Sequence, residues 1–264
     1  MSSGPLLVLT FAASDPTGGA GMQADVLTIA ALGCHPLSVL TGVTVQDTSG
    51  VRELHALDAR LVAAQASCVL GESRASAIKV GVVASAANAR AIAAIAKERD
   101  GAPLVLDPVL ASGGGDRLAD EATLAALRES LIPRAMLVTP NGVEARRLTG
   151  EKDIPRCAAR LIEMGARYAL VTGGHENGAE VVNRLYGREG LVREDAWPRL
   201  PHEYHGSGCT LASAIACSLA RGVAMAQAVY EAQKYAWHAL DAAFMSGHGQ
   251  RIPQRFHGRA DGPS

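Results

Sequence analysis

Two textures alternate along the chain up to residue 172. Short β-branched or leucine-rich runs bounded by Gly, Pro or Asp, such as LLVLTFA, LSVLTGVTV and PLVLD, are separated by alanine-rich stretches with apolar residues at helical spacing. Strands buried on both faces are apolar throughout, whereas a crossover helix needs only one apolar side, so this alternation is the mark of a parallel sheet wrapped by helices. The pattern predicts strands near 6–12, 37–45, 76–83, 103–107, 135–139 and 167–172. It predicts helices near 20–33, 58–71, 85–99, 119–130, 141–149 and 153–165. After Gly174 the rhythm changes: VVNRLYGREGLVRED reads as two short strands about a Gly-Arg-Glu-Gly turn, a small antiparallel hairpin added to the sheet. Helices near 208–221 and 225–246 follow, and the end of the polar, Pro/Gly-rich tail that starts at about 250 reads as frayed. The expected fold class is α/β, a mostly parallel central sheet with helices on both faces, in one domain spanning residues 1–264.

Composition narrows the functions such a fold would carry. Lys and Arg number 25 against 26 Asp and Glu, a net charge of −1, so no basic excess points to nucleic acid or an acidic membrane surface. Any phosphate affinity must then come from local geometry, and the expected partner is a small molecule. The N-terminal MSSGPLLVLTFAASDP has no positively charged leader and no long apolar run follows, which leads to the expectation of a cytoplasmic enzyme. The five cysteines include no CxxC pair and no zinc-like spacing. Four of them, Cys34, Cys68, Cys157 and Cys217, sit among alanines, leucines and valines and read as small core residues.

The fifth is placed differently. In HGSGCTLASAIA, Cys209 directly follows the turn Gly206-Ser207-Gly208 and opens a helix. Helix N-termini leave backbone N–H groups unpaired, and glycines let the preceding chain wrap an anion, so the turn is a ready anion cradle. A thiol in that field is expected to be partly ionised near neutral pH and able to take a proton. A second Gly-rich stretch, SDPTGGAGMQAD, contains Gly19-Ala20-Gly21-Met22-Gln23-Ala24 and so matches the dinucleotide pattern G-x-G-x-x-A. That reading lacks its acidic partner, because the position about 20 residues on is Val39. Asp107 ends the strand PLVLD and Glu144 follows the strand AMLVTP, placing both carboxylates at strand carboxyl ends where open α/β sheets bind ligands. Hard oxygen ligands of this kind suit Mg²⁺, and VTGGH (171–175) falls at the same edge. An anion cradle, a base and a carboxylate pair together are what phosphoryl transfer requires.

With these blocks in view, the chain resembles the hydroxymethylpyrimidine and phosphomethylpyrimidine kinases of thiamine biosynthesis, members of the ribokinase-like superfamily. The resemblance rests on SDPTGGAGMQADVLTIAALG, TGVTVQDTSGV, KVGVV, LDPVLASGGGD, TPNGVEA, VTGGH and HGSGCTLASAIA, in that order over nearly the whole chain. It implies a three-layer ribokinase-like fold and a kinase that phosphorylates the hydroxymethylpyrimidine alcohol and then its monophosphate. Gly206, Ser207, Gly208 and Cys209 would form the catalytic anion hole, with Cys209 as base. Gln46, Ala13, Asp25 and Val109 would surround the pyrimidine. Asn141, Thr172, Gly174 and Lys234 would bind ATP, and Asp107 and Glu144 would hold Mg²⁺. A homodimer is implied by the same analogy.

The chain departs from the family pattern at several of these blocks. Ala13 replaces a common glycine, Thr172 a common lysine, Val82 and Leu110 common methionines, and Gly113 a Lys or Thr. The run PHEYHGSGC also differs from the usual Thr-x-Asn-Thr-His. Three alternatives therefore stand beside the leading reading: a pyridoxal-type vitamin kinase, a kinase restricted to the monophosphate, and a catalytically silent pyrimidine-binding protein.

Overall fold

In the computed structural model, which describes residues 4–99 and 101–258, the apolar runs become strands of one sheet. They are β1 (Leu7–Ser14), β2 (His35–Gln46), β3 (Val51–Ala56), β4 (Ala77–Val80), β5 (Leu104–Leu106), β6 (Leu137–Val138), β7 (Tyr168–Val171), β8 (Glu180–Gly187) and β9 (Gly190–Pro198). The order is β3-β2-β1-β4-β5-β6-β7-β8-β9. The six from β2 to β7 in that order run parallel, while β3, β8 and β9 are antiparallel additions at the two ends.

Helices α1 (Gly21–Ala31), α7 (Ser207–Ala220) and α8 (Met225–Asp241) cover one face. The other carries α2 (Ala59–Glu72), α3 (Ala86–Lys97), α4 (Glu121–Ala126), α5 (Gly142–Thr149) and α6 (Ile154–Glu163). Successive strand residues point to opposite faces. Leu9, Phe11, Ile78, Val80, Leu106 and Val138 accordingly join the second core, and Val8, Ala77, Val105 and Leu137 join the first. Every position of α7 from Cys209 to Ser218 is buried. Its Ala, Ser and Cys side chains are small enough to let the helix axis lie close on the sheet.

Helix starts divide into two kinds. The N-termini of α2, α3, α4, α5 and α6 are capped by Asp58, Ser85, Asp120, Asn141 and Asp153, whose side chains accept first-turn backbone N–H groups. Those of α1, α7 and α8 have no side-chain cap. The first two lie at the carboxyl edge of the sheet, where β1 sits between β2 and β4 and the chain changes its direction of winding. Such a switch point opens a crevice beyond the strand ends.

Four expectations need correction. The strand β3 was not foreseen, because Arg52, Glu53 and His55 give an edge strand with little buried surface and hence little apolar pattern. The helix expected at 119–130 is α only to Ala126, then winds through a π turn at Leu127–Leu131 and a 3-10 turn at Ile132–Arg134. Helix α8 stops at Asp241, short of 246. Cys68, expected in the core, is exposed on α2. The first part of the tail packs against the fold: Ile252 pairs with Phe244, Arg251 pairs with Tyr204, and Ile252 and Arg255 are buried. The last part of the expected tail, 259–264, lies outside the described residues.

Candidate active site

A cavity of about 1270 Å³ opens along the carboxyl edge of the sheet. That is roomy for one drug-sized ligand, whose pockets run to roughly 1,000 Å³, and suits two ligands side by side. Ala13, Gln46, Asp107, Val109, Asn141, Glu144, Thr172, Gly174 and the run Gly206 to Cys209 all line it. Residues far apart in sequence thus converge because each follows a different parallel strand or opens α7.

Two expected site residues fall outside the lining. Lys234 is exposed on α8, where its neighbour Gln233 faces the cavity instead. Asp25 is fully buried on α1 and accepts hydrogen bonds from Thr10 Oγ1 (2.6 Å), Ser213 Oγ (2.9 Å) and Lys79 Nζ (2.8 and 2.9 Å). It lies beneath the site, not against a ligand. Its partner Lys79, also fully buried, sits in the middle of a central strand.

The cradle at the start of α7 has the expected form. Gly206 is its N-cap at φ 79°, and a Cβ there would come within 2.0 Å of Gly19 O. Only glycine allows that left-handed backbone and that approach of the two loops. Nothing caps α7, so its first-turn N–H groups are left for a ligand.

The charge state of Cys209 differs from expectation. Burial pushes its thiol up to about 12, the opposing pull of Lys79 and the Gly21 amide being too weak to offset it. Desolvation of the anion outweighs the helix field, so the free protein holds a neutral thiol. That thiol neighbours the Asp107 carboxylate and helps to stabilise its charge. Burial raises Asp107 to about 6 despite the charge of Lys79. Glu144 is raised to about 8, first by burial and then by the nearby Asp107 charge. Glu144 completes a capping box with Asn141 and accepts from the Leu110 amide at 3.2 Å.

Two carboxylates held together out of water, each reluctant to ionise, form a site that a cation would relieve. Oδ2 of Asp107 is buried with no hydrogen-bond partner. This hard-oxygen donor set fits Mg²⁺, which takes one or two carboxylates and fills its shell with water and phosphate oxygens. Among the described residues no group of three or more His, Cys, Asp or Glu side chains is placed to hold a metal ion.

Sequence reasoning missed a second cluster. His205 Nε2 lies 2.8 Å from Asp15 Oδ2 and 3.3 Å from Gln46 Nε2, tying β1, β2 and the approach to α7 together. Burial opposes ionisation of Asp15, but hydrogen bonds from His205, Ala20 and Thr17 outweigh it and hold the carboxyl down to about 2. Gly19 is needed here too, since its Cβ would meet the His205 ring at 2.3 Å. Trp197 and Trp237 line the opposite end, their rings 6.4 Å apart. The signals were present: a lone lysine in the apolar run AIKVGVV, and a histidine beside the cradle.

A mostly parallel sheet with an uncapped helix aimed into a two-ligand cavity, beside a buried carboxylate pair, is the arrangement of a small-molecule phosphotransferase of ribokinase-like fold. Residues 15–254 match the family described as phosphomethylpyrimidine kinase, and the chain belongs to that family. It is 42% identical over 254 residues to hydroxymethylpyrimidine/phosphomethylpyrimidine kinase of Streptomyces coelicolor, covering 93% of this chain and 92% of that one. Among solved structures it is similar to phosphomethylpyrimidine kinase from Clostridium difficile, at 33% identity and a TM-score of 0.77, over 89% of this chain and 99% of that one. An ADP complex of Bacillus subtilis pyridoxal kinase is similar at 26% identity and a TM-score of 0.85, over 95% and 97% of the two chains. The protein is an enzyme, a phosphotransferase.

Proposed function

We propose that the protein is an ATP-dependent kinase that phosphorylates 4-amino-5-hydroxymethyl-2-methylpyrimidine and then its monophosphate, yielding the diphosphate for thiamine biosynthesis. One observation carries the reading: the uncapped start of α7 and Cys209 share a single cavity with Gln46 and the Asp107–Glu144 pair. Gln46, with both a donor and an acceptor, suits a ring nitrogen beside an exocyclic amine. The first-turn N–H groups of α7 would hold the charge that develops on the transferring phosphoryl group.

Because Cys209 starts as a thiol, we assign the proton step to Cys209 and Asp107 together. The hydroxymethyl oxygen attacks the γ-phosphorus, and the bond to the β,γ-bridging oxygen breaks to release ADP. One proton leaves the hydroxyl for Cys209 Sγ while the thiol proton passes to the Asp107 carboxylate. Glu144 and Oδ2 of Asp107 would hold Mg²⁺, which when bound neutralises phosphate charge. In the second turnover the nucleophile is already a phosphate, so the cradle matters more than the base.

Asn141, Thr172 and Gly174 would face the nucleotide. With Thr172 in the place of a lysine, that end relies on backbone amides. A homodimer and a cytoplasmic location belong to the same proposal; among the described residues no helix is long and apolar enough to cross a membrane.

The test is ADP release from ATP and Mg²⁺ with the pyrimidine alcohol, its monophosphate and pyridoxal as acceptors, with products identified by mass spectrometry. Diphosphate formed from the alcohol is the expected result. A higher kcat/KM on pyridoxal would move the enzyme to the vitamin B6 kinases, and product stalling at one phosphate would remove the second activity. Cys209→Ala is expected to slow the first phosphorylation by roughly 10²-fold or more, the common range for a lost acid–base group. Pyrimidine affinity should change little.

A further inference from the structure

The segment after α8 returns to the active-site edge and delivers a buried cation there. The return is anchored by the Gln254 amide on Ala239 O (2.8 Å) and by Tyr235 Oη donating to Arg255 O (2.6 Å). Arg255 is only 3% exposed. Its Nη1 and Nη2 donate to the carbonyls of Gly18 and Gly19, and its Nε donates to Thr210 Oγ1 at 3.2 Å. Thr210 in turn donates through Oγ1 to Gly206 O at 2.9 Å. One side chain therefore ties the Gly-rich loop after β1 to the first turn of α7.

The electrostatics of this placement are unusual. No carboxylate lies within ion-pair distance of Arg255 among the described residues. The nearby acids are committed elsewhere, Asp25 to Lys79 and Asp15 to His205. The guanidinium also sits beside the positive end of the α7 dipole, where a cation is unfavourable unless an anion is present. Burying a charge without a partner is costly, and such a charge persists where function uses it. Gly19 O, which accepts from Arg255, is the atom that a Cβ on Gly206 would strike. The charge is thus one carbonyl away from the anion cradle.

We propose that Arg255 is a positioning residue for phosphoryl transfer: it locks the Gly18–Gly19 loop against the first turn of α7 and supplies a permanent positive charge matched to the transferring phosphoryl group. The inference rests on the kinase reading and deepens it. Carbonyl and hydroxyl oxygens, not carboxylates, accept its hydrogen bonds, so Asp25 and Asp15 offset its charge only from a distance and an anionic ligand would complete the compensation. Thr210 lies four residues past the cap, roughly 6 Å along the helix. As a scale for such an effect, a unit charge about 10 Å from a developing anion, at an effective dielectric near 20, corresponds to about tenfold in rate.

The test compares Arg255→Gln, which keeps hydrogen bonding but removes the charge, with Arg255→Lys, which keeps the charge and loses the fork. R255Q is expected to lower kcat about tenfold with the pyrimidine KM within about twofold, and R255K to stay within about threefold of the wild type. A second readout needs no acceptor: the affinity for a nonhydrolysable ATP analogue relative to ADP, by calorimetry, should fall in R255Q. A fall in either quantity, restored by lysine, supports the proposal. Wild-type values of both in R255Q, or R255K as impaired as R255Q, overturn it. Near-ultraviolet circular dichroism checks folding, and if R255Q does not fold, a natively folded R255K decides: kcat within about threefold supports, a larger loss overturns. If the wild type does not phosphorylate the pyrimidine, the functional reading fails and the affinity ratio still tests Arg255.

Discussion

Replacing Lys79 by methionine should destabilise the protein more than a loss of packing would. The lysine ammonium and the Asp25 carboxylate are both at 0% exposure, 2.8 Å apart. Charge from Asp25, and to a lesser degree from Asp107, outweighs the burial penalty and holds the lysine above its ordinary range. Methionine matches the length of the stem but leaves Asp25 with two neutral donors, Thr10 and Ser213. Removing one partner of a buried ion pair costs about 3–5 kcal/mol, because an uncompensated charge stays behind. At about 2–4 °C per kcal/mol for a chain of this size, Tm should fall by roughly 6–20 °C. The double variant Lys79→Met with Asp25→Asn removes both charges and keeps an acceptor for the two hydroxyls, so it should recover at least half of the loss. Urea denaturation at pH 7, followed by far-ultraviolet circular dichroism, measures both. A K79M chain within about 1 kcal/mol of the wild type, or a double variant no more stable than K79M, would refute the reasoning.

Three further outcomes follow from the same geometry. Since burial holds the Cys209 thiol near 12, iodoacetamide at pH 7.5 should alkylate exposed Cys68 well before Cys209, as read by peptide mass spectrometry; the reverse order would show an activated thiolate. Asp15, depressed to about 2 from an unfolded value of 3.8, contributes stability that is present above the unfolded value and lost as pH falls through about 2. The difference is about 2 kcal/mol, so the gap between wild type and Asp15→Asn in urea titrations should shrink between pH 4 and 2; parallel curves would contradict it. Gly206→Ala would force a Cβ to 2.0 Å from Gly19 O at a φ of 79°, and kcat should drop by at least about tenfold as the cradle shifts; unchanged turnover would mean that the cradle is not used.

Much of the site was legible because phosphate binding uses backbone, and backbone geometry is written in glycine. Gly206 to Cys209, Asp107 and Glu144 could be placed from strand ends and one turn. Val109, Gln46 and Asn141 required the family resemblance. Lys234 was misplaced because a lysine in an amphipathic helix gives no sign of which side of the helix edge it occupies, and here Gln233 takes the inward position. Asp25 was assigned to the pyrimidine by the family resemblance; a helix turns its side chains through 100° per residue and carries this one outside the cavity lining, onto Lys79. The thiol was read as ionised from the helix field alone. Its burial, which reverses the sign, comes from α1, β4 and β5 packing around it.

The sequence by itself determined the layers, the strand polarity and the family, since apolar period and turn residues are local properties of the chain. Tertiary structure alone decided which charges meet. Lys79 with Asp25, His205 with Asp15 and Gln46, and Arg255 with the Gly18–Gly19 carbonyls join positions 54, 190, 159 and more than 200 residues apart. No local preference encodes such pairings. They form because the folded layers exclude water there, and a buried polar group must find its partner among whatever the fold brings near.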